Sequence, residues 1–192
     1  MCCARDTPLP SIAQTLTYVA DDFSKLPTLL SFLKQPYNPP IIVFVSTQTR
    51  ATSLLEQLII DGIPNINCLH AGMSKKEREI TISRMLKGEV WVLITTEVMA
   101  RGMDFKGIRG VINYDFPTSV QSYIHRIGRT GRAGREGIAV TYFTDEDSSY
   151  LKPCVLSYHV SLASTHLLSV LFQNSKRPCL LIVLIEMTDN KA

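Results

Sequence analysis

The chain has 192 residues, 45% of them hydrophobic and 19% charged, with a formal net charge of +3. That is enough for one well-buried domain and too apolar for a disordered segment. The small net charge selects no partner by itself, but between Arg101 and Arg135 seven Lys and Arg stand against two acids, Asp104 and Asp115, an excess that suits a polyanion.

The five cysteines (Cys2, Cys3, Cys68, Cys154 and Cys179) are scattered and form no C-x-x-C pair, so no metal site is expected. Scattered thiols without a signal peptide read as reduced cysteines of an intracellular protein. The strongest apolar run, CLLIVLI at 179–185, is shorter than the ~18 residues of a spanning helix, so no membrane association is expected.

In chain order, residues 1–11 have no periodicity and read as a flexible terminus. From Ile12 onward short apolar runs alternate with helical patterns. IIVFV (41–45) is a continuous β-branched run, as a strand covered on both faces would be, and it follows Pro39 and Pro40, which stop any preceding helix. ATSLLEQLII (51–60) has Leu54, Leu55 and Leu58 at helical spacing, with Gly62 beyond its end. INCL (66–69) reads as a strand. Ser74 and Glu77 form a capping-box pattern that opens a helix stopping near Gly88.

VWVLI (90–94), GVINY (110–114) and IAVTYF (138–143) read as further strands. Thr118 and Gln121 predict another helix start, followed by SVQSYIHRI. AVTYFTDED (139–147) ends in acids, which read as the opening of a helix rather than a metal-holding motif. The alternation predicts an α/β fold, a mostly parallel sheet with helices on both faces and ligands at the carboxyl ends of its strands. Residues 12–152 make up this lobe. From 153 to 192 the tail has two apolar clusters, HLLSVLF and CLLIVLI, and is not assigned to the sheet.

The stretch HRIGRTGRAGREG (125–137) places Arg126, Arg129, Arg132 and Arg135 at every third position, with glycines at the same interval. Glycines at this density cost a helix about 1 kcal/mol each, so the helix should end near Gly128 and leave a loop. Several guanidinium forks beside free backbone amides can then converge on one phosphate.

HRIGRTGR (125–132) resembles motif VI of the DEAD-box RNA helicases. TTEVMARGMDF (95–105) is similar to motif V, VINYDFP (111–117) to the strand between V and VI, IIVFVST (41–47) to motif IV, and HAGMSKKER (70–78) to segment IVa. WVLI, ARGMDFKG and VINYDFPTS look most like the subgroup acting on small-subunit ribosomal RNA. The family's core has two RecA-like lobes, with ATP in the cleft and RNA across both. This chain resembles the second lobe over about three-quarters of its length.

The resemblance implies a RecA-like fold and a set of roles. Arg129 and Arg132 would be arginine fingers reaching the γ-phosphate, and His125 and Arg126 would link the site to the acidic motif of the first lobe. Asp104 would bind the ATP ribose, with Arg101 and Gly102 beside it. Thr47, Arg50, Gly72, Arg78 and Thr96 would hold RNA phosphates without reading bases. From the residues alone, Thr47 is also placed to cap the following helix, Arg78 to lie on a solvated face, and Phe44 to be core. The chain departs from the family at Ala71, Lys75 and Glu97, where a glycine, a glutamine and an aspartate or small polar residue are usual.

The sequence contains no G-x-x-x-x-G-K-[ST] phosphate loop and no Gly-Lys pair. ATP with Mg²⁺ would therefore be held mainly by a first lobe, in cis or in trans, and this polypeptide alone is expected to have negligible ATPase or unwinding activity. The expected partners are RNA, through its backbone, and that N-terminal helicase lobe, with no membrane. The expected location is the nucleolus or nucleus, with the cytoplasm as an alternative. The competing function is a non-catalytic RNA- or helicase-binding module from a truncated or spliced product.

Overall fold

A computed structural model describes residues 11–97, 105, 107–132, 134–147 and the short strand 183–185. Six parallel strands form the sheet: β1 (Ile12–Tyr18), β2 (Ile41–Val45), β3 (Ile66–Leu69), β4 (Val92–Thr96), β5 (Gly110–Asn113) and β6 (Gly137–Phe143). A seventh, β7 (Val183–Ile185), runs antiparallel beside β1, so this part of the tail joins the sheet, which the sequence did not foretell. The spatial order is β3-β4-β2-β5-β6-β1-β7. Among the described residues four helices form: α1 (Lys25–Leu33), α2 (Gln48–Ile60), α3 (Lys75–Leu86) and α4 (Val120–Ile127).

Period-two alternation divides the sheet's side chains between two cores. On one face Ile41, Val43, Val45, Val92, Ile94, Ile112 and Tyr142 pack beneath Leu29 and Leu33 of α1 and Leu54 and Leu58 of α2. On the other, Ile42, Phe44, Leu69, Leu93 and Val111 pack against Met85 of α3. Ile12 and Ala139, also on that second face, meet Tyr123 and Ile127 of α4. Phe44 is fully buried, core as expected. A strand buried on both sides reads as an unbroken apolar run, which is why β2 matches its expected bounds; β3, half-buried at Ile66 and Asn67, also spans its expected residues 66–69.

Other boundaries shift for identifiable reasons. Helix α2 starts at Gln48 rather than residue 51, because the Thr47 hydroxyl accepts the Arg50 N–H at 3.2 Å and caps it. Thus Arg50, just before the expected helix 51–60, belongs to the first turn of α2. Strand β4 begins two residues later than VWVLI suggests. The Trp91 N–H is taken by the Asn65 carbonyl at 2.7 Å, ahead of the ladder, and the β-branched Thr95 and Thr96 complete the strand.

The expected Thr118 cap is corrected to Ser119, whose hydroxyl accepts the Ser122 N–H at 3.1 Å. The Ser74–Glu77 capping box forms as expected, and its hydrogen bonds hold the Glu77 carboxyl below its ordinary range. The acids after β6 open a short 3₁₀ turn, Asp145–Asp147, in which Asp147 caps the Thr144 N–H at 2.9 Å.

Candidate nucleotide and nucleic-acid interface

The parallel strands deliver the segments after β2, β3, β4 and β5 to one edge of the sheet. Val45 and Thr96 are register partners, so Thr47 and Thr96 leave neighbouring strands side by side. Gly72, in the loop after β3, comes so close to α2 that a Cβ there would lie 2.6 Å from Gln48 Oε1. His70, just before it, shares a 3.3 Å hydrogen bond with the Thr52 hydroxyl. Arg78 is half-buried in the first turns of α3. The chain therefore brings Thr47, Gly72 and Thr96 to adjoining strand ends. Thr47 is exposed, whereas Thr96 is buried at 8% exposure.

Arg50 has company that the sequence did not announce. Its Nη2 pairs with Asp22 at 2.5 Å, and its Nε stands 2.8 Å from Asp115 Oδ2, close enough for an ion pair though not aligned as a hydrogen bond. The guanidinium also lies 5.2 Å from the Tyr114 ring centroid. The Arg50 hydrogen bond is the chief reason the Asp22 carboxyl sits below its ordinary range. Burial pushes the Tyr114 phenol up to about 12. Lys25 completes the cluster, 2.9 Å from Asp22 and 3.1 Å from Asp115.

The arginine stretch divides at the end of α4. Arg126 points inward and is 5% exposed. Its Nη1 donates to the Asp115 carbonyl at 2.9 Å, its Nε and Nη2 approach Glu97 at 3.3 Å, and its guanidinium lies 5.3 Å from the Phe44 centroid. The Ser122 hydroxyl donates to the same Glu97 oxygen. Glu97, the departure within motif V, is thus the acid that fastens α4 to the end of β4.

Gly128 is the C-cap of α4, and the chain leaves the helix there as expected. Arg129 Nε then donates to the His125 carbonyl at 3.2 Å and Arg132 Nε to the Gly128 carbonyl at 2.8 Å. Each arginine reaches back four residues to a carbonyl at the helix end, where a cation is electrostatically favoured. His125, Arg132 and Arg135 are exposed and Arg129 is half-buried.

The turn is tied to the sheet behind it. Thr130, fully buried, donates to the Ile108 carbonyl at 2.9 Å, and the Ser11 hydroxyl donates to the Gly131 carbonyl at 2.9 Å. Gly131 has φ +66°, and a Cβ there would lie 2.5 Å from Ile12 Cγ1. The glycine thus serves both handedness and close approach.

Arg101, Gly102 and Asp104 lie outside the described residues. Among the described residues no three His, Cys, Asp or Glu side chains gather as a metal site would, and no helix is long and apolar enough to cross a membrane. The sequence reading missed Asp22, Lys25 and Asp115 as members of the site. The available signal was Asp115 itself, an acid directly following the apolar run GVINY at a strand's carboxyl end.

Comparison with known proteins fits this geometry. Residues 23–134 match the family described as helicase conserved C-terminal domain. The chain is 46% identical over 149 residues to the probable ATP-dependent RNA helicase DDX52 of Bos taurus, covering 78% of this chain and 25% of that protein. The chain therefore spans about a quarter of the length of that curated relative. Its fold is similar to the C-terminal domain of the DEAD-box protein Dbp5, with a TM-score of 0.72 and 32% identity over 81% of this chain and 89% of that one. It is also similar to S. cerevisiae Dbp5 bound to RNA and ADP BeF3, with a TM-score of 0.73 and 31% identity over 79% of this chain and 40% of that one. The chain belongs to the helicase conserved C-terminal domain family, as the RecA-like C-terminal lobe of a DEAD-box RNA helicase.

Proposed function

We propose that this lobe supplies arginine fingers to ATP held by a first helicase lobe, together with half of an RNA-backbone site. The observation that carries the reading is the arginine turn: Arg129 and Arg132 are each held by Nε on a helix-end carbonyl, at 3.2 and 2.8 Å. Such anchoring orients a guanidinium before a phosphate arrives, which lowers the entropic cost of binding it. Two cationic forks on this turn, Arg132 exposed and Arg129 half-buried, fit the charge of a triphosphate. ATP, with its Mg²⁺, supplies the phosphoryl group. The part of Arg129 and Arg132 is to neutralise charge that develops on it, an effect worth ~10³–10⁵ in rate elsewhere.

Arg126, being interior, supports the turn from behind, and the reach toward the acidic motif of the first lobe falls to exposed His125. Asp104, Arg101 and Gly102 are proposed for the ribose side by the family resemblance alone. On the RNA side, Thr47, Gly72, Arg78 and the end of β4 at Thr96 are proposed to hold phosphates. Arg50, engaged by two carboxylates, serves more to shape that loop than to meet RNA directly. Backbone contacts of this kind make binding indifferent to sequence and steeply salt-dependent. The resemblance of WVLI, ARGMDFKG and VINYDFPTS to the small-subunit subgroup supports ribosomal RNA processing as the setting, which would place the protein in the nucleolus or nucleus.

The test is to combine the chain with a DEAD-box first lobe and measure RNA-dependent ATP turnover. Turnover is expected only in the combination, and Arg132→Ala should lower it about 10³-fold. RNA binding without turnover in any combination would instead favour the non-catalytic binding module.

A further inference from the structure

Asp115 stands where the two halves of the interface meet. It is 7% exposed and lies just beyond the carboxyl end of β5. Its side chain faces the β2–α2 junction: Oδ2 accepts the Ser46 N–H at 2.7 Å, and Arg50 Nε lies 2.8 Å from the same atom. Oδ1 accepts from Lys25 Nζ at 3.1 Å. Its backbone carbonyl faces the other way and accepts Arg126 Nη1 at 2.9 Å.

These contacts join two loops that share no sequence. Ser46 precedes Thr47, whose hydroxyl caps α2. Arg126 lies on α4 three residues before Arg129, whose own Nε is fixed to the carbonyl of His125. A displacement of the Ser46–Thr47 loop pulls on the Asp115 carboxylate, and a displacement of α4 pulls on its carbonyl. One residue therefore stands between both movements. The carboxylate also neutralises Lys25, itself 6% exposed, so its charge cannot be removed without leaving a buried cation short of a partner.

We propose that Asp115 is a positioning residue that couples the Ser46–Thr47 loop to the arginine turn, so that RNA phosphate held at the first sets the second for catalysis. This rests on the reading of those two segments as the RNA and nucleotide sides. Asp115 touches neither ligand. It acts through Ser46 and Arg126.

The variant that tests it is Asp115→Asn, which keeps the shape, the backbone carbonyl and one acceptor but removes the charge. With a first lobe added, ATP turnover is followed against RNA concentration. Thr47→Ala should raise the half-saturating RNA concentration, and Arg132→Ala should lower the turnover at saturating RNA. Asp115→Asn should do both, each by about tenfold, the weight of a charge-assisted hydrogen bond. A folded Asp115→Asn protein that changes only one of the two quantities, or neither, overturns the coupling.

Amide hydrogen exchange of the full chain alone gives a second readout that does not depend on the helicase reading. In Asp115→Asn, exchange should quicken both at Ser46 and at the amides from 129 to 132, and an unchanged second segment refutes the coupling. Absence of RNA-stimulated turnover with the unsubstituted chain would refute the functional reading and leave the exchange result standing. If the Asn variant does not fold, Asp115→Glu keeps the charge but lengthens the arm. The same paired changes are expected from it, and their absence overturns the coupling.

Discussion

Thr130 and Gly137 press against each other where the arginine turn meets β6. A Cβ on Gly137 would fall onto the Thr130 hydroxyl and lie 2.7 Å from the Gly131 nitrogen. Two backbones and a fully buried side chain share that spot, so nothing nearby can yield cheaply. The glycine interval in GRTGRAGREG is thus partly a packing requirement, met where the turn lies on the starts of β1 and β6.

Gly137→Ala should accordingly destabilise the lobe by about 1–3 kcal/mol, the usual penalty of overpacking. Gly134 is the control. Its φ is +72° but a Cβ there meets nothing within 4 Å, so Gly134→Ala carries only backbone strain, about 1 kcal/mol. Urea unfolding midpoints would compare them, and equal shifts would contradict the packing argument.

Arg126 and Glu97 form a largely buried pair, their side chains 6% and 18% exposed. Arg126→Met should cost about 3–5 kcal/mol, because it strands the Glu97 charge and frees the Asp115 carbonyl. The double change Arg126→Met with Glu97→Met should recover most of that loss, since an apolar pair of similar volume needs no counter-charge. Thermal melts of the single and double variants decide it. A double variant as unstable as the single would show that the cost lies in packing.

Alkaline pH should weaken the lobe through Tyr114, whose phenol is raised from 10.0 to about 12 by burial. The fold favours the neutral phenol. Its stabilising contribution is therefore complete below pH 10 and is lost as pH rises toward 12. Two units correspond to about 2–3 kcal/mol at most. Tyr114→Phe should flatten this limb of the stability–pH curve, measured by urea unfolding at stepped pH. An unaltered limb would assign it to other groups, such as Tyr142, which burial also raises.

Much of the fold was legible because doubly covered strands need only be apolar and β-branched. β2 could be read on that ground residue for residue, while β3 was marked by the short run INCL and α3 by its Ser74 box. Strand β1 hides better. Its inward set is Ile12, Gln14 and Leu16, and the polar member is tolerated because the Tyr123 hydroxyl bonds Gln14 Oε1 at 2.6 Å. That partner lies over a hundred residues away, beyond the range of any local pattern.

The candidate site divides in the same way. The sequence by itself determined the strand–helix alternation, the end of α4 at Gly128 and the concentration of arginines after it, since spacing and glycine content act locally. Only the tertiary structure decided where each arginine points. Arg126 and Arg129 look equivalent along the chain, yet one is turned onto Glu97 and Asp115 while the other is held at a helix end. Arg50, which the family resemblance makes an RNA contact, has Asp22 and Asp115 beside it, neighbours no local pattern announces. The reason is physical: a charge takes its role from the burial and counter-charges around it, and these come from segments that meet only when the sheet is assembled.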